Sequence, residues 1–118
     1  MFTIEFYELE NGKIPVEEFI NSLTAKMKVK AMDSISILQE YGTQLRKPYS
    51  KALGNGIFEL RIKFSSDITR IFYFFNVGEK IILTNGYIKK TKKASSREIK
   101  RAKEYKADYE RRHANDKL

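Results

Sequence analysis

Residues 68–75, ITRIFYFF, form a nearly continuous run of β-branched and aromatic side chains broken by a single charge, Arg70. Such a run suits the centre of a sheet, where branched and flat side chains pack well on the pleated backbone. A central strand needs neighbours, and both are legible. Upstream, Phe58, Leu60, Ile62 and Phe64 alternate with Glu59, Arg61 and Lys63, the pattern of a half-buried strand with a charged outer face. Downstream, a turn around Gly78 leads into residues 80–88, KIILTNGYI, a third strand. The turn Ser65-Ser66-Asp67 allows two registers. With a two-residue turn, Phe64 pairs with Asp67 and Arg61 lies opposite Arg70; with a three-residue loop, Phe64 pairs with Ile68 and Arg70 faces Ile62. The first register places like charges face to face, which is destabilising unless an anion lies between them.

The rest of the chain supplies an earlier strand and three helices. Residues 2–7 alternate and read as a strand. Pro15 sits where a helix begins, and Val16, Phe19, Ile20 and Leu23 make a helical stripe. Thr24 can cap a second helix, whose main apolar line is Met27, Ala31, Ile35 and Leu38 and whose end is marked by Gly42. Residues 43–56 read as a connecting loop. Ser95 and Glu98 fit a capping box for a basic helix reaching about residue 112. The expected fold is α+β: a compact antiparallel sheet with an N-terminal α-hairpin and a C-terminal basic helix, in the order βααβββα, over a single domain 1–118.

Charge is concentrated at one end. Residues 1–88 carry 11 Lys/Arg against 10 Asp/Glu, a net of +1, whereas residues 89–112 carry 11 against 4, a net of +7. A basic segment on a near-neutral domain suits phosphate binding, because each neutralised phosphate releases counterions. It also suits a solvated helix face. The sequence has no cysteine, which excludes disulfides and thiolate metal sites. No signal-like segment and no apolar run near the roughly 20 residues of a membrane span occur, so a soluble, cytoplasmic protein is expected. Asp33, Asp67 and Asp108 stand isolated, without ligand spacing, and no metal or cofactor is expected.

One region carries a resemblance. Residues 53–93 hold Leu53 and Gly56, then Phe58-Glu59-Leu60-Arg61, Arg70 with Tyr73, Gly86-Tyr87-Ile88-Lys89-Lys90 and Thr91-Lys92-Lys93. Upstream, Pro15-Val16-Glu17-Glu18-Phe19 and Tyr41-Gly42 fit the same pattern. This ordered set resembles RelE-like toxins of bacterial toxin–antitoxin systems, especially the HigB-type branch and its phage-derived relatives. The resemblance implies a toxin that enters the ribosomal A site and cleaves mRNA without metal or cofactor. It also implies a cognate HigA-like antitoxin with a helix-turn-helix, through which the pair reaches operator DNA.

Cleavage of RNA by its own 2′-hydroxyl requires removal of a proton, stabilisation of charge on the phosphate and protonation of the 5′-oxygen. The single histidine, His113, cannot fill two of these roles and reads as structural. Arginine, lysine and tyrosine remain. The resemblance makes Arg70 the phosphate-stabilising arginine and Arg61 a second phosphate or base contact. Each also has a plainer reading, on the solvent face or paired with Glu59 or Asp67, which suits Arg61 better than Arg70, whose apolar neighbours make a charge costly unless exposed or paired. Glu59 stands where some relatives have Lys, which removes one cation and offers a carboxylate as a base in its place. Lys89 and Lys90 end the last strand, where only one of them can readily face the site. Tyr87 shares the face of Lys89, and Tyr73 suits either base stacking and proton donation or the core. Lys63, Tyr87, Lys92, Lys93, Lys100 and Lys103 are the candidate contacts to RNA or ribosome. Two other functions stay open on such a fold: a non-enzymatic ParE-like inhibitor of DNA gyrase, and a nucleic-acid-binding module without activity.

Overall fold

The computed structural model describes residues 1–89 and 95–114, with the backbone alone for Lys89. Five strands form one sheet in the order β1-β5-β4-β3-β2: β1 Thr3–Phe6, β2 Ser50–Gly54, β3 Ile57–Phe64, β4 Asp67–Asn76 and β5 Lys80–Lys89. The helices are α1 Pro15–Asn21, α2 Ala25–Tyr41 and α3 Ser96–Arg112. The mixed α+β class, the α-hairpin and the C-terminal helix are as expected from the sequence, but the order of elements and the sheet type differ.

The stretch read as a loop contains a strand, β2, so four strands rather than three separate α2 from α3. Its pairing with β3 is closed by Asn55-Gly56, both at positive φ (55° and 76°), which is the turn chemistry a two-residue hairpin demands. The sheet is also mixed rather than purely antiparallel, because β1 pairs with β5 in parallel, Thr3 opposite Lys80.

The sheet is covered on both faces, which explains the unbroken apolar run of β4. On one face Val16, Ile20, Met27, Ala31, Ile35 and Leu38 of the α-hairpin pack on Leu60, Ile62, Ile71, Tyr73, Ile81 and Leu83. On the other, Ala102 and Tyr109 of α3 pack on Ile57, Phe72, Phe74 and Ile82. The hairpin forms where its sequence signals lie: Pro15 in the first turn of α1, and the Thr24 hydroxyl accepting from Met27 N–H at 3.3 Å. The α3 capping box does not form. Ser95 is at the N-cap but its side chain caps nothing, and Glu98 turns to the sheet, accepting from Asn85 Nδ2 at 3.3 Å.

A network at the far end of α3 fixes it to the start of the chain. Tyr7 donates to Asp108 Oδ2 at 2.5 Å, Arg112 grips the same oxygen at 2.7 Å, and Arg112 also donates to Glu8 O at 2.6 Å. Burial, followed by the Asp108 carboxylate, pushes the Tyr7 hydroxyl up to about 12. That hydrogen bond, with help from Arg112, holds Asp108 below the usual carboxylate range. His113 stacks on Tyr109 with centroids 3.9 Å apart, consistent with its structural reading. Among the described residues no helix is long and apolar enough to cross a membrane.

Candidate functional site

The register settles the hairpin question: Phe64 pairs with Asp67, and Arg61 lies directly opposite Arg70. Arg61 N–H donates to Tyr49 O at 2.8 Å, away from β4. Arg61 and Arg70 therefore form a non-hydrogen-bonded pair, the kind in which facing residues stand closest. The neighbouring strand extends the row, since Tyr87 of β5 lies opposite Arg70. The next row outward is Lys63, Ile68 and Lys89.

Tyr87 reaches this face because of a bulge. Between the pairs Ile71–Gly86 and Tyr73–Leu83, Phe72 alone opposes Thr84 and Asn85. The extra residue inverts the alternation along β5, so that Tyr87 joins Phe72 and Ile82 on the α3 side of the sheet. Thr84 and Asn85 are both buried and are linked, Thr84 Oγ1 to Asn85 Oδ1 at 2.8 Å. The Tyr87 ring stacks on Phe72, and its oxygen accepts from Ser95 N–H at 2.5 Å, which ties β5 to the start of α3. Burial chiefly pushes the Tyr87 hydroxyl pKa up. At neutral pH Tyr87 is thus a phenol, able to give a proton but not to take one.

The anion between the two arginines belongs to the protein. Glu59, completely buried, is bonded to Arg70 Nη1 through Oε1. Its Oε2 lies 3.9 Å from Arg61 Nε. The Arg70 side chain is 1% exposed and that of Arg61 22%. Both plainer readings of these residues are realised through Glu59, and Arg70 as it stands does not reach solvent. Arg61 does. It lines two hollows at the edge of β3, together with Lys63 and Pro48.

The other candidates fall in three groups. Tyr73 is on the opposite face, 1% exposed, stacked on Phe58 and hydrogen-bonded to the Ser50 hydroxyl. The core reading holds for it, and it does not join the row. Lys63, Lys100 and Lys103 are exposed, the last two on the outer side of α3. Lys90, Lys92 and Lys93 lie outside the described residues. Sequence reasoning missed Tyr49, 57% exposed beside Arg61, because it fell in a stretch read as loop; also missed were Lys30 and Asp33 of α2, whose exposed positions look like ordinary helix surface. Among the described residues no three His, Asp or Glu side chains gather as a metal site would require.

Arg61 can donate paired N–H bonds to a phosphate, with Glu59 and Arg70 fixing it from behind. No curated protein matches the chain. A family model does: that described as "Phage derived protein Gp49-like (DUF891)", over residues 18–107. With most of its length so matched, the chain belongs to the Gp49-like phage-derived family.

Proposed function

We propose that this protein is the toxin of a toxin–antitoxin pair, a ribosome-dependent endoribonuclease that cuts mRNA and is neutralised by a cognate helix-turn-helix antitoxin of the HigA type. The observation that carries the proposal is Arg61: a half-buried guanidinium, opposite a second arginine, oriented by a buried carboxylate and open to solvent at a basic sheet edge. Family membership supports the same reading.

In the reaction proposed, the 2′-oxygen attacks the phosphorus, its proton leaves, and the bond to the 5′-oxygen breaks. The products are a 2′,3′-cyclic phosphate and a 5′-hydroxyl, which takes up a proton. Arg61 stabilises the negative charge on the phosphate oxygens. Tyr87, kept protonated by burial, is the proton donor for the leaving oxygen. Arg70 and Glu59 are positioning residues that set Arg61. Glu59, the carboxylate beside Arg61 and the base offered by the sequence, is completely buried and paired with Arg70, so in this reading the ribosome supplies the base for the 2′-hydroxyl.

Expression without a partner should arrest growth and shorten mRNAs in translating cells, as mapped by their 5′ ends, while the purified protein barely cuts naked RNA. Intact mRNA together with inhibited gyrase would replace this reading with a ParE-like inhibitor. The burial of Arg70 favours that second reading, since only one arginine of the row then meets solvent.

A further inference from the structure

Past Leu60 the edge of β3 carries no strand among the described residues: pairing with β2 ends at Ser50 opposite Leu60. This edge borders a cleft of about 310 Å³ between β3 and α2, walled by Lys30, Asp33, Tyr49, Arg61 and Lys63. A second hollow of about 300 Å³ shares Pro48, Arg61 and Lys63 and adds Ile68. The two meet at Arg61 and lead from the arginine row round the sheet edge to α2.

The walls have a definite chemistry. Three cations face one carboxylate. Lys30 Nζ stands 5.4 Å from the centre of the Phe64 ring, which holds it at the cleft. Tyr49 presents a ring that no aromatic side chain of the described residues stacks upon. A flat exposed ring flanked by cations suits a nucleic-acid base and its phosphate. An acidic peptide would satisfy the cations, but it would leave the ring unused and meet repulsion from Asp33. A base amino group would instead donate to Asp33.

We propose that this cleft binds one nucleotide of single-stranded RNA adjacent to the phosphate held by Arg61, with the base on Tyr49 and the phosphate between Lys30 and Lys63. The inference rests on the RNA-directed reading above and extends it to a subsite that includes α2.

The test is the affinity of the full chain for a short fluorescent oligoadenylate across a salt series. Tyr49→Ala should weaken binding roughly 5- to 150-fold with little change in salt slope, the usual cost of removing one base stack. Tyr49→Phe should retain the affinity. Lys30→Gln combined with Lys63→Gln should flatten the slope by about 0.7, as expected when the one phosphate between them is no longer neutralised. A parent chain that fails to bind at low salt overturns the proposal, as does a Tyr49→Ala chain that binds like its parent. Loss of poly-glutamate binding in Lys30→Gln with Lys63→Gln, with RNA binding kept, would assign the cleft to an acidic peptide and also overturn it. Mapping of mRNA ends separates the two claims. If the parent shortens mRNA while Tyr49→Ala binds oligoadenylate normally, the subsite alone fails. If the parent leaves mRNA intact while the Tyr49 series behaves as stated, the nuclease reading alone fails.

Discussion

Removing one partner of the Arg70–Glu59 pair leaves the other out of water with its charge uncompensated. Arg70→Ala should therefore cost about 3–5 kcal/mol in urea unfolding, whereas Arg70→Met combined with Glu59→Leu should recover most of that stability. Additive costs in the double variant would show that the pair is not coupled. An absence of toxicity in Arg70→Ala is then ambiguous, and Arg61 becomes the informative residue. Arg61→Ala should keep the fold and lower mRNA cleavage by roughly 10²–10³, and Arg61→Lys should restore only part of it, lacking the bidentate fork. A full rate in Arg61→Ala would remove this residue from the mechanism. Tyr7 gives a pH dependence. Its folded pKa, about 12, lies above the value near 10 expected when unfolded, so the folded state holds the proton more tightly. That stability is complete below about pH 10 and declines as pH rises toward 12. Tyr7→Phe should flatten the alkaline fall of Tm, though only in part, because burial also raises Tyr73, Tyr87 and Tyr105. An unchanged alkaline fall would show that ionisation of Tyr7 contributes nothing to it.

Where α1 crosses β5, the approach is closest at Gly86. A Cβ there would lie 2.6 Å from Phe19 Cδ2 and 2.8 Å from the Arg70 carbonyl oxygen. Gly86→Ala should destabilise by about 1–3 kcal/mol in thermal melts, more if the backbone oxygen cannot yield. A parent-like Tm would mean that α1 lifts off without cost. Helices and the three central strands were legible because their periodicities are long and their stops are marked by Pro15, Thr24, Gly42 and Gly78. β2 was not: Ser50–Gly54 is an edge strand with little to bury, and its one strong signal, Asn55-Gly56, was absorbed into a stretch that reads as loop. The bulge at Thr84-Asn85 leaves no mark in apolar patterning, since both residues are polar and yet buried. The Ser95/Glu98 spacing misled for a different reason: Asn85 of β5 competes for Glu98, and a tertiary interaction overrides the local motif. At the site, the register options and the need for an anion followed from Arg61 and Arg70 alone. That the anion is Glu59 needed the fold, because two residues apart on one strand does not say which neighbour a carboxylate will choose.

As a whole the molecule is a sheet between two helical layers. Its shared edge and row chemistry come from β3, β4 and β5, and its positive charge comes from the segment that follows them. Neutralising Lys100 and Lys103 should reduce the salt slope of RNA or ribosome binding by up to about 0.7 for each phosphate left unneutralised. An unchanged slope would make the exposed side of α3 a solvated face or an antitoxin surface. The parallel pairing of β1 with β5 has a consequence in time. Thr3 cannot meet Lys80 until the ribosome has added a further 77 residues, roughly 4–15 s at ordinary elongation rates. The residues that fasten α3 to the first strand, Asp108 and Arg112, emerge later still. The nascent chain thus carries its α-hairpin well before the sheet can close, and completes β4 only a few residues before β5 begins. Until β5 follows, the flank of β4 that it will cover stands unpaired on the nascent chain.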